Sequence, residues 1–483
     1  MNYKQVLRVL AVLLLMQAFF MLFPLFFAFY YGEHQTIKAF AYSIAIILAF
    51  SFFVLSITKN PGKKGLSAKD GFIFVTFSWI LASAFGALPF TFSGGIENYT
   101  DAFFETMSGF TTTGATILQN IEALPKSLLF WRSLTHWLGG MGIVVLAVAI
   151  LPLLGIGGFR LFKAESPGPT VDKLTPRIKA TAKILWLTYI LLTVIETIFL
   201  LFGGMDFFEA VTHSFGTMAT GGFSPKNASI GHYNSLYVDI VITVFMVLAG
   251  ANFILYYRVI KGEFKAVWSN VELKVYIVIF LTATSIIALS NLGNTYADWG
   301  ESTRQAAFQA ASIMTTTGFA TADYVKWHSV AQIMLFILMF IGGCTSSTGG
   351  GPKVIRIYTL VKEALTAMRS QLHPKGVFPV RVGGSPVSRS VLMAISGFFF
   401  LYILILILTT FIVATGGYNI ETSLSTALAT LGNIGPGFGK VGPVENYAFF
   451  PGYIKWFLSF IMMAGRLELY TVIILLTPSF WRK

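Results

Sequence analysis

The sequence predicts an all-α polytopic membrane protein: two N-terminal spans, then one unit of span, half-helix, glycine turn and span used four times. Three observations carry this. Of 483 residues, 55% are hydrophobic and 11% charged, with a mean hydropathy of +0.72, whereas a soluble domain carries about 25% charged residues. Ten apolar runs reach the ~20 residues that a membrane helix needs. A glycine-containing turn recurs with a period near 100 residues. The composition excludes a soluble globule, a disordered chain and a disulfide-rich secreted domain. The lone Cys344 permits no internal disulfide and no cysteine-based metal cluster.

The apolar runs lie near 5–31, 36–58, 70–92, 127–156, 178–203, 236–260, 271–293, 328–360, 389–416 and 453–477. The first is longer than the ~7–15-residue core of a signal peptide, so it is expected to remain as an anchor helix. Between them fall half-apolar segments near 99–110, 205–216, 302–314 and 420–430. They are too short to span and each runs into a Gly/Thr-rich turn, the pattern of a re-entrant helix.

Charge sets the orientation. With the N-terminus cytoplasmic, alternating loops place 25 basic residues inside and 8 outside, with Arg466 within a span. The acids divide oppositely, 13 outside and 6 inside, with Glu196 and Glu468 in spans. Both termini are therefore expected in the cytoplasm. The net charge of +13 reads as a topogenic signal, with no nucleic-acid partner.

The four turns read Thr111-Thr112-Thr113-Gly114-Ala115, Met218-Ala219-Thr220-Gly221-Gly222-Phe223, Thr315-Thr316-Thr317-Gly318-Phe319 and Asn433-Ile434-Gly435-Pro436-Gly437-Phe438. Aligned on Gly114, Gly221, Gly318 and Gly435, they are separated by 107, 97 and 117 residues. A long apolar helix follows each, broken by small residues at Gly139-Gly140-Met141-Gly142, Ala249-Gly250-Ala251-Asn252, Gly342-Gly343-Cys344 and Ala464-Gly465-Arg466. Small residues also serve plain helix packing in membranes. Four in register, all on the acidic outer side, favour a functional role.

Irregular backbone at membrane depth persists only where protein buries it or water bathes it. Four such loops around one axis would line a narrow aqueous path, with glycine letting neighbouring carbonyls point inward. A ring of carbonyls replaces the hydration shell of a monovalent cation, here with threonine hydroxyls adding uncharged oxygens. Each half-helix would aim its partly negative C-terminus at the path. The outer acids Glu97, Asp101, Glu105, Asp206, Glu209, Asp298, Glu301 and Glu421 either concentrate cations or, for most of them, are solvated loop charges.

On these residues, with Gly349-Gly350-Gly351 and Gly465-Arg466-Leu467-Glu468, the whole chain resembles the TrkH-type potassium uptake proteins, in the superfamily of KtrB- and HKT-type transporters. The resemblance implies four fused membrane–pore helix–membrane repeats around one pore, over 67–168, 169–265, 266–380 and 381–483, after two helices in 1–66. It implies a selectivity filter at Thr112, Thr113, Gly114, Ala219, Thr220, Gly221, Thr316, Thr317, Gly318, Asn433, Ile434 and Gly435. K+ would bind backbone oxygens of the residues preceding those glycines. It also implies the inner membrane of a bacterium, a homodimer, a cytosolic TrkA-type nucleotide-binding subunit and no organic cofactor.

Residues 328–365 are too long for one crossing and contain Gly342, Gly343, Gly349, Gly350, Gly351 and Pro352. Each interior glycine costs a helix about 1 kcal/mol and a proline about 3, so the helix should break there. No GxxxxGK[ST] spacing makes it a phosphate loop. The expected element is a gating loop of Gly343, Cys344, Thr345, Ser346, Ser347, Thr348, Gly349 and Gly350, or else a buried kink. Arg466, mid-span, is expected to face the pore and bond this loop; the alternative is a structural pair with Glu468 or Glu196. For Glu196 the simplest expectation is a hydrogen bond to a neighbouring helix.

Three rivals frame the reading. A Na+-permeable or H+/Na+-coupled symporter would share the fold. An organic-solute carrier of inverted repeats would need two halves of opposite orientation, whereas these units are parallel. An enzyme is not expected, because the six histidines (34, 136, 213, 232, 328 and 373) make no HExxH or paired metal spacing.

Overall fold

A computed structural model describes residues 2–59, 66–142 and 178–482. The 143–156 end of the expected fourth span, most of the basic 160–183 loop and part of the 59–69 loop lie outside the described residues. The fold is an all-helical polytopic membrane fold. Among the described residues only Arg381–Val382 and Ser385–Pro386 form strands, paired as a small hairpin.

Among the described residues, six helices are long and apolar enough to cross a membrane: Tyr3–Tyr30, His34–Ile57, Ala68–Phe92, Ala182–Phe202, Val271–Asn291 and Arg389–Ala414. They expose large apolar side chains such as Phe26, Phe52, Leu404 and Phe411, as lipid contact allows. The four half-apolar segments form short helices, Tyr99–Phe110, Phe207–Met218, Trp299–Met314 and Ile420–Leu431, buried along most of their length.

The helices that follow the four turns are not single crossings. Lys126–Gly140 stops at its glycines, and Leu236–Gly250 meets Phe253–Ile260 at 97°. Ser329–Leu338 is separated from Val354–Leu372 by a loop. Gly452–Arg466 ends before Glu468 and Leu469, both at positive φ, and Tyr470–Leu476 continues. The small residues explain the breaks. A Cβ on Gly139 would lie 1.8 Å from the Phe110 carbonyl oxygen, and one on Gly465 2.1 Å from that of Leu431. A Cβ on Gly250 would lie 2.8 Å from the Thr315 side chain. These three following helices thus touch the end of a short helix where a side chain would not fit. Gly139→Ala should destabilise the protein by about 1–3 kcal/mol through overpacking, read as a lower melting temperature of the detergent-solubilised protein.

Candidate functional site

Each short helix begins at a side-chain cap. Asn98, Asp206, Asp298 and Asn419 accept from the N–H of Thr100, Glu209, Glu301 and Thr422, satisfying a donor that the first turn leaves free. The four also end alike. Thr112, Thr220, Thr316 and Asn433 take left-handed backbone, at φ 53°, 52°, 61° and 53°. The next N–H then reaches back to a helix carbonyl: Thr113 to Ser108 at 2.9 Å, and Gly221 to Gly216, Thr317 to Ser312 and Ile434 to Ala429 at 2.8 Å. This closure normally places glycine at the left-handed position. Threonine there is an outlier costing about 1–2 kcal/mol, and such strain gathers where function fixes the backbone.

Two residues beyond each comes a glycine at positive φ: Gly114, Gly222, Gly318 and Gly435. A Cβ on Gly114 would lie 2.3 Å from the Gly221 oxygen; on Gly222, 2.1 Å from Thr317; on Gly318, 2.2 Å from Ile434; on Gly435, 2.5 Å from Thr113. These contacts run in one direction and close on themselves. The result is a ring in which the carbonyl of one turn abuts the glycine of another. A cavity of about 140 Å³ opens on all four glycines. Uncharged backbone oxygens so arranged suit a dehydrated monovalent cation, and the helix C-termini aimed at the ring add partial negative charge.

The second turn corrects the register expected from the sequence by one residue. Gly221 is not at positive φ; the counterpart of Gly114 is Gly222, and those of Thr112 and Thr113 are Thr220 and Gly221. Ala219 caps the short helix, like Thr111, Thr315 and Gly432. Gly221 lacks a side chain for another reason, since its Cβ would fall 2.5 Å from the His136 ring. That ring stacks on Phe223 at 4.0 Å, and its Nδ1 meets the Gly109 carbonyl at 2.7 Å.

Residues 342–353 fold against the third and fourth turns. The Gly350 N–H donates to Thr316 Oγ1 at 2.6 Å, and a Cβ on Gly350 would lie 2.6 Å from the Gly432 oxygen. The Gly342 N–H closes the neck on the Pro352 carbonyl at 2.8 Å. The Cys344 N–H donates to the Gly250 carbonyl at 2.8 Å and Thr348 Oγ1 to that of Ala249 at 3.1 Å. Ser346 accepts from the Phe253 N–H, and Ser347 Oγ bonds back to the Cys344 carbonyl. Lys353 donates to the Gly349 carbonyl. Glu272 accepts from Thr345 twice, from N–H at 2.7 Å and Oγ1 at 3.0 Å. Arg466 donates to the Thr348 carbonyl at 2.7 Å and to those of Gly139 and Gly140 at 2.9 Å. It thus ties the loop to the helix that follows the first turn. On the far side of Thr345 and Ser346 lies a cavity of about 540 Å³, walled also by Asn252, Arg258 and Glu272.

A family model described as TrkH, cation transport protein, matches residues 36–483. The chain belongs to the TrkH family. It is 39% identical over 488 residues to the Trk system potassium uptake protein TrkH of Escherichia coli K12, with both chains fully covered. It is 36% identical over 465 residues to the Trk system potassium uptake protein TrkG of the same organism, covering 96% of this chain and 95% of TrkG. The crystal structure of the potassium transporter TrkH from Vibrio parahaemolyticus matches with a TM-score of 0.89 at 36% identity, over the whole of both chains. The TrkH family is one of transporters, not of enzymes.

Within this TrkH-family fold, several expected charges sit elsewhere than the sequence suggested. Glu105 is no solvated mouth acid. It is fully buried, with Arg132 Nε at 2.6 Å, Thr116 Oγ1 at 2.8 Å and the Ile117 N–H at 2.9 Å. Asp101 pairs with Lys455 at 2.6 Å, and Glu209 with Lys226 at 2.8 Å; the hydrogen bond to Glu209 raises the pKa of the Lys226 ammonium. Glu468 turns to Arg356, whose guanidinium also lies 4.3 Å from the Phe398 ring centre. Glu196 is fully buried beside the Thr217 hydroxyl of the short helix Phe207–Met218. Sequence reasoning missed Gly222, His136, Arg132 and Glu272. Only Gly222 had a local signal: Phe223 follows it as Phe319 follows Gly318.

Proposed function

We propose that the chain takes up potassium across the inner membrane of a bacterium, with both termini cytoplasmic. K+ passes through a selectivity filter lined by the backbone oxygens of Thr112, Thr113, Thr220, Gly221, Thr316, Thr317, Asn433 and Ile434. The observation that carries this is the closed ring of glycine–carbonyl contacts. It offers oxygens without fixed charge, so a monovalent cation is bound well enough to shed water and weakly enough to leave. The relatives named as potassium uptake proteins favour K+ as that ion. The four quarters correspond to repeats over 67–168, 169–265, 266–380 and 381–483.

The 343–350 loop and Arg466 act as the gate. The loop's hydrogen bonds to Thr316 and to the Ala249–Gly250 carbonyls support this, because they seat it against the ring. Arg466 places a fixed cation beside it. The working assembly is a homodimer with a cytosolic TrkA-type nucleotide-binding subunit, a reading supported by membership of the Trk family. Purified protein in liposomes should carry Rb+ or K+ well ahead of Na+, measured as tracer uptake under an imposed gradient. Movement of a neutral solute without cation flux overturns the proposal.

A further inference from the structure

Nine residues before the ring glycines stand Glu105, His213, Gln309 and Thr426. The first three tie the short helix to the segment just past the glycine. Glu105 holds Thr116 Oγ1 and the Ile117 N–H. His213 Nε2 meets Ser224 Oγ at 3.0 Å, and Gln309 Nε2 donates to Thr321 Oγ1 at 3.4 Å. In the fourth turn the neighbouring Ser425 Oγ accepts from the Phe438 N–H. The positions are equivalent, but the chemistry is not: one carboxylate stands against an imidazole, an amide and a hydroxyl.

The carboxylate has its own counter-charge. Arg132 and Glu105 are 2% and 0% exposed, and the guanidinium does more than neutralise. Its Nη1 donates to the Ser224 carbonyl at 3.0 Å, and its central carbon lies 3.5 Å from the Phe223 ring centre. Phe223 and Ser224 directly follow Gly222, while Thr116 and Ile117 lie just past Gly114. The pair therefore clamps the segments that follow Gly114 and Gly222 to each other, on the side where Gly114 meets the Gly221 oxygen. Asp101–Lys455 and Asp239–Arg304 also join neighbouring quarters, but among the described residues only Glu105–Arg132 bonds the segments that directly follow two ring glycines.

We propose that Glu105 and Arg132 are positioning residues that set the spacing of the first two turns of the ring and thereby the preference for K+ over Na+. This rests on the ring being the selectivity filter. Sites of this kind work only when supporting contacts hold them to a few tenths of an ångström, and a buried charge-assisted pair is a stiff support. Arg132 also lines the cavity that opens on the four glycines, whereas Glu105 does not.

The test compares permeability ratios from reversal potentials in proteoliposomes under K+ and Na+ gradients. E105Q keeps the shape but removes the charge. R132K keeps the charge but loses the rigid fork whose separate nitrogens reach Glu105 and Ser224. Each should lower the K+/Na+ ratio by about tenfold, the worth of one charge-assisted hydrogen bond, while cation flux persists. G114S in the same assay reports on the ring itself. An unchanged ratio in folded E105Q and R132K, with G114S altered, overturns the clamp and leaves the filter standing. An unchanged ratio in G114S overturns the filter reading beneath it. If the single variants do not fold, E105Q/R132M, which orphans no buried charge, decides: an altered ratio supports the clamp and an unaltered one overturns it.

Discussion

Replacing Arg466 with alanine should raise resting K+ flux by about tenfold or more. Its guanidinium makes three hydrogen bonds to backbone carbonyls, one on Thr348 of the loop and two on Gly139 and Gly140. A charge-assisted bond contributes about 1.5–3 kcal/mol, so the bond to the loop alone weights the closed arrangement by ten- to a hundredfold. The loop is held from its other flank by Glu272 through Thr345, so the change should be a leak rather than a collapse. R466K separates two contributions. Lysine keeps the positive charge but cannot bridge the loop and the 139–140 carbonyls in one planar group. If R466K leaks like R466A, tethering holds the gate; if it stays tight, the fixed charge does. Rb+ influx into vesicles lacking any cytosolic subunit is the measurement. Unchanged flux in R466A, and in a deletion within 345–350, would reduce the loop to scaffold.

Gly435→Ser should cost most of the discrimination between K+ and Na+, a drop of about tenfold or more in permeability ratio. Gly435 has φ 91°, a conformation that L side chains rarely adopt. Its Cβ would also lie 2.5 Å from the Thr113 oxygen and 2.9 Å from the Gly114 carbonyl carbon. Backbone must shift on at least one side of that contact, and Thr113 contributes one of the four inner carbonyls. An error of about 0.5 Å in a coordinating group exceeds what a precise site tolerates. Reversal potentials under mixed K+ and Na+ check this. A ratio equal to that of the unaltered protein would mean that the ring does not select.

Much of this architecture is legible in the chain because its determinants are local. Asn98, Asp206, Asp298 and Asn419 stand where helix caps belong, and each short apolar segment ends on residues that suit a turn. The breaks in the following helices are visible as small residues, though not their geometry: the 97° bend at Ala251 depends on what packs beneath Gly250. The register of the second turn was obscured by two adjacent glycines with different tasks. Gly221 makes room for His136, and Gly222 supplies the positive φ. Glu105 looked like a surface acid because its partner comes 27 residues later on another helix; nothing in a local window pairs them. The apolar run over 453–477 predicts one continuous helix through Arg466 and Glu468. The helix in fact ends at Arg466, which frees Glu468 to turn to Arg356.

The one-way ring of contacts has a consequence at the level of the gene. In an assembly of identical subunits, one codon change would appear at all four positions at once. Here each quarter has its own codons, and the quarters already differ: Asn433 and Ile434 stand where Thr316 and Thr317 stand in the third. Because each glycine abuts the carbonyl of one other turn, a change in one quarter is felt first at a single junction. With the ring as the proposed filter, ion preference can be altered in quarter steps, and the fourth quarter is the one that closes the circle on Thr113.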